Sequence, residues 1–190
     1  MDYGPVSAFV NNKEQGMNYR FYNNKDVEFL SLASSSGMRT YTRSLFLVLA
    51  KAVEAVYPDA NLLIGGYYCD LRLGRPLEDE DVIRIKERMQ EIIDADMPIH
   101  RVQCPVEEAV ELFAERGMKS KVQLLESQES LYTYYYRLGE TIDYFYSCLL
   151  THTGQIHLFD LVRFCDGFLL CIPSRSEPWR LEEVTVEEKM

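Results

Sequence analysis

Residues 39–60 read RTYTRSLFLVLAKAVEAVYPDA, a pattern typical of a long amphipathic helix that ends at a turn. Apolar residues recur three and four positions apart, which places them on one buried helix face, and Pro58 cannot continue the helix. We expect Thr40 or Thr42 to cap its start, and we interpret Ser34–Gly37 as a short linker. The expected buried face comprises Leu45, Leu49, Ala52, Val53 and Val56, widened by Phe46, Leu47 and Val48.

Before this helix, three short strands are predicted at residues 6–10, 17–22 and 27–30. Asparagine pairs lie between them, and asparagine tolerates the left-handed backbone angles of tight turns. Three short strands with no covering helix make a poor core of their own. The first 33 residues therefore look like part of a larger unit.

After the helix, strands and helices are mixed. A hairpin is predicted around Gly65-Gly66, and a helix at 79–95 begins with acidic residues that suit its positive end. A third helix should begin at Pro105 and end near Gly117, followed by a short helix at 119–126. Further strands are expected at 99–103, 131–137, 141–146, 155–159 and 167–172. This order indicates an α+β fold.

Composition narrows the classes of function. The chain has 190 residues, with 30 acidic and 20 basic side chains and a formal net charge of −10. Because phosphate contacts dominate nucleic-acid affinity, this charge argues against nucleic acid as a partner. Part of the acidity lies in a tail that contains Glu182, Glu183, Glu187 and Glu188.

Five cysteines without a CxxC pair or a signal peptide indicate reduced thiols and a cytoplasmic location. No apolar run approaches the roughly 18–20 residues that cross a bilayer, so we expect no membrane partner.

Catalytic motifs are few. The sequence contains no GxxxxGK[ST] phosphate loop, no GxGxxG and no GxSxG nucleophile elbow. Cys148 and His152 have a spacing that could hold zinc if one or two further ligands joined them. The alternative is a half-buried cysteine beside a polar loop histidine.

Arginines, carboxylates and tyrosines form a second set of candidates. Arginine forks suit carboxylate and phosphate ligands, although structural ion pairs and strand packing explain the same residues. The candidate ligand-binding residues are Arg43, Tyr68, Asp70, Arg72, Asp143, Tyr144 and Tyr146.

Several segments, taken in order, resemble the second additional domain of threonyl-tRNA synthetase, its editing domain. They are LAKAV…YPDA at 49–60, YYCDL at 67–71, the helix at 81–93, EEA…F at 107–113, and Asp143 with Thr153-Gly154 and FDL at 159–161. Residues 6–32 resemble the last half of the TGS domain that precedes it.

This resemblance implies a specific architecture. We expect an antiparallel sheet packed with a long central helix and further helices, preceded by a partial β-grasp (TGS-like) segment. The expected boundaries are 1–33 for that segment, 34–173 for the editing-like domain, and 174–190 for a polar and acidic tail or linker.

In that family an HxxxH on the helix and a CxxxH in the late loop form the metal-binding editing site. Counting from the shared motifs places these four positions on Arg43, Leu47, Phe145 and Leu149. The resemblance therefore implies a chain with no catalytic residue and no metal. The Cys148/His152 pair is displaced from the family's CxxxH by three residues.

A second resemblance is to the N-terminal region of bacterial uridine-kinase-like, or nucleoside kinase, proteins. It is carried by residues 23–30, 36–43 and 172–175. It implies that the chain is a fragment of a phosphotransferase whose P-loop kinase domain, with its ATP and Mg²⁺, lies outside these residues and is a partner of this region.

Together the two resemblances predict a non-catalytic editing-like module that acts in ligand binding, regulation or domain positioning. A nucleoside or small anion is the expected ligand, no cofactor is expected within the chain, and a homo-oligomer is compatible with the positioning role. The alternative is a free-standing aminoacyl-tRNA deacylase that uses Cys148 and His152.

Overall fold

The computed structural model describes residues 3–182, and every strand pairing in it is antiparallel. Four helices are described: α1 (Ser35–Val56), α2 (Asp79–Asp94), α3 (Val106–Glu115) and α4 (Lys119–Glu126). The strands are β1 (Ser7–Val10), β2 (Lys13–Gln15), β3 (Val27–Leu30), β4 (Asn61–Gly65), β5 (Tyr68–Arg72), β6 (His100–Pro105), β7 (Tyr132–Leu138), β8 (Thr141–Asp143), β9 (Asp160–Phe164) and β10 (Gly167–Cys171). The predicted α+β class is confirmed, although its strands form three sheets, ordered β2-β1-β3, β4-β5-β10-β9 and β6-β7-β8.

Helix α1 begins earlier than the sequence analysis predicted. Ser34 is its N-cap, and the Ser34 hydroxyl accepts a hydrogen bond of 3.0 Å from the Gly37 N–H. Thr42 instead donates to the Met38 carbonyl inside the helix. The predictions of a linker at Ser34–Gly37 and of a threonine cap were therefore wrong. A serine hydroxyl that accepts from a free N–H three residues later caps a helix as well as a threonine does.

The main core surrounds α1. Its predicted apolar face is confirmed for most positions, and Leu45, Leu47 and Leu49 are fully buried, whereas Phe46 and Val56 are half-buried. Helix α2 packs across α1 through its own apolar stripe, which includes Ile85 and Met89. Interlocked apolar side chains from two helices and two sheet faces supply most of the stability of such a core.

The N-terminal sheet is organised by a two-residue turn. Asn11 and Asn12 both have left-handed backbone angles, with φ of 48° and 63°, and Lys13 therefore pairs directly with Val10. The second strand is thus Lys13–Gln15. The strand predicted at 17–22 was wrong, because the tight turn starts the pairing at once and leaves those residues beyond its end.

A second correction concerns residues 155–159, which form no strand. The segment begins with a short 3₁₀ turn at Thr153–Gln155, and the strand follows as β9. The Thr153 hydroxyl donates to the Ile92 carbonyl and accepts from the Met97 N–H, which ties this segment to the end of α2. These contacts take the place of the strand pairing that was expected for this segment.

A smaller core lies where α3 and α4 cover the β6-β7-β8 sheet. Ala109, Phe113 and Leu125 are its fully buried members, and Cys104 and Ile142 complete it. Strand β8 ends at Asp143, shorter than the predicted 141–146, so the chain leaves the sheet there and continues as a loop over residues 144–152.

Residues 174–182 turn back on the domain. The Glu182 N–H donates to the Ile172 carbonyl, and the Arg175 guanidinium donates to the Ser35 hydroxyl. The rest of the predicted tail, with Glu183, Glu187 and Glu188, lies outside the described residues. None of the helices within residues 3–182 is long and apolar enough to span a bilayer.

Candidate functional site

The loop at 144–152 lies against the N-terminal half of α1. The Ser44 hydroxyl accepts from the Leu150 N–H at 2.9 Å, and the Thr40 hydroxyl lies 3.5 Å from the Cys148 sulfur. These two contacts fall on either side of Leu149. The helix and the loop that the resemblance implies for the editing site are therefore brought together.

The four positions to which the resemblance assigns the family's metal ligands carry different chemistry here. Leu47 is fully buried and Leu149 is 2% exposed, and both belong to the main core. Phe145 packs against the same core, and its ring meets Tyr136 edge-on with the centroids 6.2 Å apart. Three of the four positions thus fill space and offer no metal-binding atom.

Arg43 occupies the fourth position. One terminal nitrogen, Nη1, is buried and has no hydrogen-bond partner among residues 3–182. The guanidinium lies within electrostatic range of Tyr136 and Cys148. Since arginine stays protonated in proteins, an unpaired buried nitrogen carries a desolvation cost that its surroundings leave uncompensated.

Glu14 ties the N-terminal sheet to this site. One carboxylate oxygen accepts from the Thr40 hydroxyl at 3.0 Å, and the other accepts from the Ser147 hydroxyl at 2.6 Å. The sequence analysis missed this residue, since a single glutamate on a three-residue strand carries no motif. Only the folded chain brings it beside α1 and the late loop.

A cavity of about 230 Å³ opens beside the late loop. Its walls come from residues 15–20 on one side and from β6, β7 and the loop on the other, with Leu149 among them. Two arginines, Arg20 and Arg101, line it, whereas Arg43 is not among its lining residues. Neither Arg20 nor Arg101 was predicted as a site residue.

The other polar groups of the cavity are uncharged near neutral pH. Burial raises the pKa of Tyr136 to about 12, and its hydroxyl donates to the Ser147 carbonyl at 3.0 Å. Burial also raises the pKa of the Cys148 thiol above its usual range. Arginine side chains therefore dominate the charge among the residues that line this cavity.

The alternative metal pair does not share one cavity. Cys148 lines the cavity described above, whereas His152 lines a separate open depression of about 620 Å³ and bonds through Nδ1 to the Thr151 hydroxyl. Within residues 3–182, no three or more His, Cys, Asp or Glu side chains are grouped so that they could hold a metal ion. The Cys148/His152 zinc site remains a prediction without an identified third ligand.

The predicted ligand-binding residues on β5 lie in the four-stranded sheet. The Arg72 Nε atom is 3.0 Å from the Asp70 carboxylate, which is the structural ion pair considered as the alternative. Tyr68 meets Phe164 edge-on, with the centroids 6.4 Å apart. None of these three side chains from β5 lines the cavities described here.

The remaining predicted residues lie at the end of β8. The Asp143 carboxylate is 2.8 Å from the Lys121 ammonium, so its partner is a lysine of α4. The Tyr144 hydroxyl accepts from the Gln128 amide, and Tyr146 is 90% exposed. Asp143 lines a third, larger cavity of about 700 Å³ between α1, β4 and the start of α4. The seven predicted residues thus occupy three separate places.

Sequence comparison finds relatives that cover most of the chain. A threonine–tRNA ligase of Acetivibrio thermocellus is 30% identical over 169 residues, which are 86% of this chain and 27% of the ligase. The ligase of Hahella chejuensis is 32% identical over 76% of the chain, and threonine–tRNA ligase 2 of Bacillus subtilis is 29% identical over 84%. No family model matches the chain.

The chain spans about a quarter of the length of these ligases. They give no support to the nucleoside kinase parent implied by the second resemblance, which remains a prediction. Over most of its length the chain is homologous to threonyl-tRNA synthetases, and its α+β fold is that of their editing-like domain.

Proposed function

We propose that this chain is a non-catalytic editing-like module that acts in ligand binding, regulation or domain positioning. The observation that carries the proposal is the packing of Leu47, Phe145 and Leu149 into the core at three of the four metal-ligand positions. In the family that this region resembles, those positions hold the metal.

Ligand chemistry supports this reading. Zinc sites in proteins use nitrogen, sulfur or oxygen atoms from three or four side chains, and leucine and phenylalanine provide none. The fourth position, Arg43, brings a permanent positive charge that repels a cation. A metal-activated water therefore has no support at this place in the fold.

A cavity lies beside the late loop, and hydrogen bonds hold the segments around it in position. The Ser44 hydroxyl accepts from an N–H of the loop and the Thr40 hydroxyl contacts the Cys148 sulfur, which fixes the late loop on α1. Glu14 accepts from the Thr40 and Ser147 hydroxyls and so fixes the N-terminal sheet on both. A preformed cavity with a few polar groups is the common form of a small-molecule site. This supports a binding role, for which nucleosides and small anions are the ligands to test.

The proposal is tested by an aminoacyl-tRNA deacylation assay. We expect the purified chain to release amino acid from aminoacyl-tRNA no faster than buffer, and Cys148→Ala to behave identically. Zinc-supported turnover that Cys148→Ala abolishes would establish the deacylase instead. The net charge of −10 predicts weak tRNA binding as well, which a salt-dependent gel-shift titration measures in the same samples.

Domain positioning makes a different prediction from ligand binding. A purely structural module should form oligomers at micromolar concentration that nucleosides and anions leave unchanged in light scattering. Calorimetric titration of the same protein with nucleosides, nucleotides and threonine separates the two roles. The kinase parent is tested independently, by reading the coding sequence downstream of residue 190 for a phosphate-loop motif.

A further inference from the structure

We infer that the 700 Å³ cavity beside β4 accepts an extended peptide of a partner protein, which pairs with β4 as a further strand and places an acidic side chain beside Lys119. This cavity is separate from the one beside the late loop, so the inference goes beyond the proposed function and does not depend on it. It is carried by two free sheet edges that border the same cavity.

Strand β4 meets the cavity along its edge. Residues 60–64 all line the cavity, although neighbouring side chains of a strand point to opposite faces of a sheet. None of the residues Tyr68–Arg72 of β5, the strand that pairs with β4, is among the lining residues. The surface that β4 shares with the cavity is therefore the edge that faces away from β5.

The backbone of this edge has unused hydrogen-bonding groups. In an antiparallel pair, alternate residues direct their N–H and C=O groups away from the partner strand. Within residues 3–182, β4 pairs only with β5, and no turn or loop hydrogen bond of the backbone involves Asn61–Gly65. The strand sequence NLLIG has no charged residue and no proline, two devices that protect sheet edges from further pairing. An additional strand can therefore pair with β4.

A second edge borders the cavity from the other sheet. Ile142 and Asp143, neighbours on β8, both line the cavity, whereas the lining includes no residue of β7, the strand that pairs with β8. Strand β8 is the last strand of its sheet. Helix α1 contributes the apolar side chains of Ala50 and Val53 to the same cavity. An extended segment in the cavity thus has strand edges and an apolar helix surface within reach.

The acidic side chains that line the cavity already have partners. The Asp143 carboxylate is 2.8 Å from the Lys121 ammonium, and the Glu54 carboxylate accepts from the Thr141 hydroxyl at 2.6 Å. Three cationic and two anionic side chains line the cavity, in a protein whose net charge is −10. A local positive excess of this kind attracts an acidic partner.

The cations available to such a partner lie where α3 is joined to α4. Lys119 is exposed and forms no ion pair with any residue that the structure describes. Arg116 donates to a backbone carbonyl, that of Glu140, which leaves its charge without a counter-charge. The matching partner is therefore an extended peptide with apolar side chains toward α1 and an acidic side chain toward this connection.

Strand addition predicts a site that tolerates many sequences. Main-chain hydrogen bonds supply most of the affinity in this mode of binding, and side-chain contacts supply the specificity. A strand of five residues is about 17 Å long, so a peptide of about six residues can cover β4.

The test titrates the full chain at low ionic strength with a capped hexapeptide, Thr-Val-Glu-Val-Glu-Thr, and follows amide exchange by NMR. We expect saturable binding and slower exchange at alternate amides of β4. Attraction between charges alone would leave these amides exchanging as before, because only strand pairing gives them a hydrogen-bond partner.

Lys119→Glu should weaken binding of this peptide by at least about threefold, since an attraction is replaced by a repulsion. The variant should fold, because glutamate is favourable in the first turn of α4. Lys13→Glu is the matched control, since Lys13 is an exposed lysine on β2 and does not line the cavity. It should bind the peptide as the wild type does.

No saturable binding, protection confined to residues outside β4 and β8, or equal binding by Lys119→Glu and the wild type overturns the inference. So do dimers that protect the β4 amides without peptide, because a second copy of the chain then occupies this edge. None of these results bears on aminoacyl-tRNA deacylation, so the inference and the proposed function fail separately.

Discussion

The buried carboxylate of Asp81 and the buried Nη1 atom of Arg43 differ in their hydrogen bonding. The Asp81 carboxylate accepts two hydrogen bonds from Arg75, at 2.7 and 2.8 Å, and further bonds from the Tyr57 hydroxyl and the Glu78 N–H. Arg43 has a buried nitrogen with no such partner among the described residues. The first arrangement is a structural network that joins the C-cap of α1 to α2, and the second leaves a cationic donor without an acceptor among the described residues.

Asp81 therefore makes stability depend on acid pH. The Arg75 guanidinium is the largest of the influences that hold the pKa of this carboxyl well below its usual range. A group with a depressed folded pKa contributes stability that is complete above its unfolded pKa, about 4, and is lost as pH falls toward the folded value.

We predict that Asp81→Asn lowers the free energy of unfolding by about 2–3 kcal/mol at pH 7, because a buried, charge-assisted network is broken. The variant should also lose less stability than the wild type between about pH 4 and pH 2, since the titrating carboxyl is gone. Urea unfolding at a series of pH values measures both effects.

Asp79→Asn is the control, since that exposed side chain lies two positions earlier in the same helical turn. It should follow the wild-type pH curve. If Asp81→Asn and the wild type lose equal amounts of unfolding free energy as the pH falls, the network does not govern acid stability.

Residue chemistry also explains what the sequence could reveal about the site. The four metal-ligand positions are implied by the resemblance to the synthetase family, because α1 and the late loop each carry motifs on which the resemblance rests. Glu14 and Arg101 belong to no such motif, and their roles depend on contacts between distant parts of the chain. Long-range contacts of this kind are absent from any periodic pattern.

The helices were predicted from local sequence more accurately than the strands. Helix α2 and the short α4 lie where their stripes and turn signals predicted, with ends within one residue. The failures at residues 17–22 and 155–159 are both strands, whose existence depends on a partner that the sequence does not name. The early start of α1 was missed because its serine cap resembles a linker.

The start of α1 provides a test at a single glycine. A Cβ atom at Gly37 would lie 2.1 Å from the Ser31 carbonyl oxygen, far inside contact distance. Replacing glycine by alanine inside a helix normally stabilises it by about 1 kcal/mol. Here we predict the opposite sign, a loss of more than about 1 kcal/mol in the free energy of unfolding, because the backbone must shift.

Ser36→Ala is the matched control in the same turn, since the Ser36 hydroxyl bonds only to the exposed Arg39 among the contacts described here. Its effect should stay within about 0.5 kcal/mol. A stabilising Gly37→Ala in the same urea titration would mean that the chain at Ser31 does not approach α1 this closely.

For the whole molecule, the N-terminal sheet and the editing-like region share one core. Val6 and Leu32 belong to the same buried cluster as α1, and Glu14 bonds to both sides of the site. The predicted boundary between residues 33 and 34 is therefore crossed by continuous packing. The account depends on this assembled geometry, in which the late loop lies on α1 with apolar residues where the family has metal ligands.

Zinc binding, measured by equilibrium dialysis and elemental analysis, tests this geometry most directly. The wild type is compared with a variant that restores the family's ligands: Arg43→His, Leu47→His, Phe145→Cys and Leu149→His. We predict no stoichiometric zinc in the wild type and about one equivalent in the folded variant, since four ligands suffice for a tetrahedral site. One equivalent in the wild type that is lost in Cys148→Ala, or none in a variant that circular dichroism shows to be folded, would contradict the account.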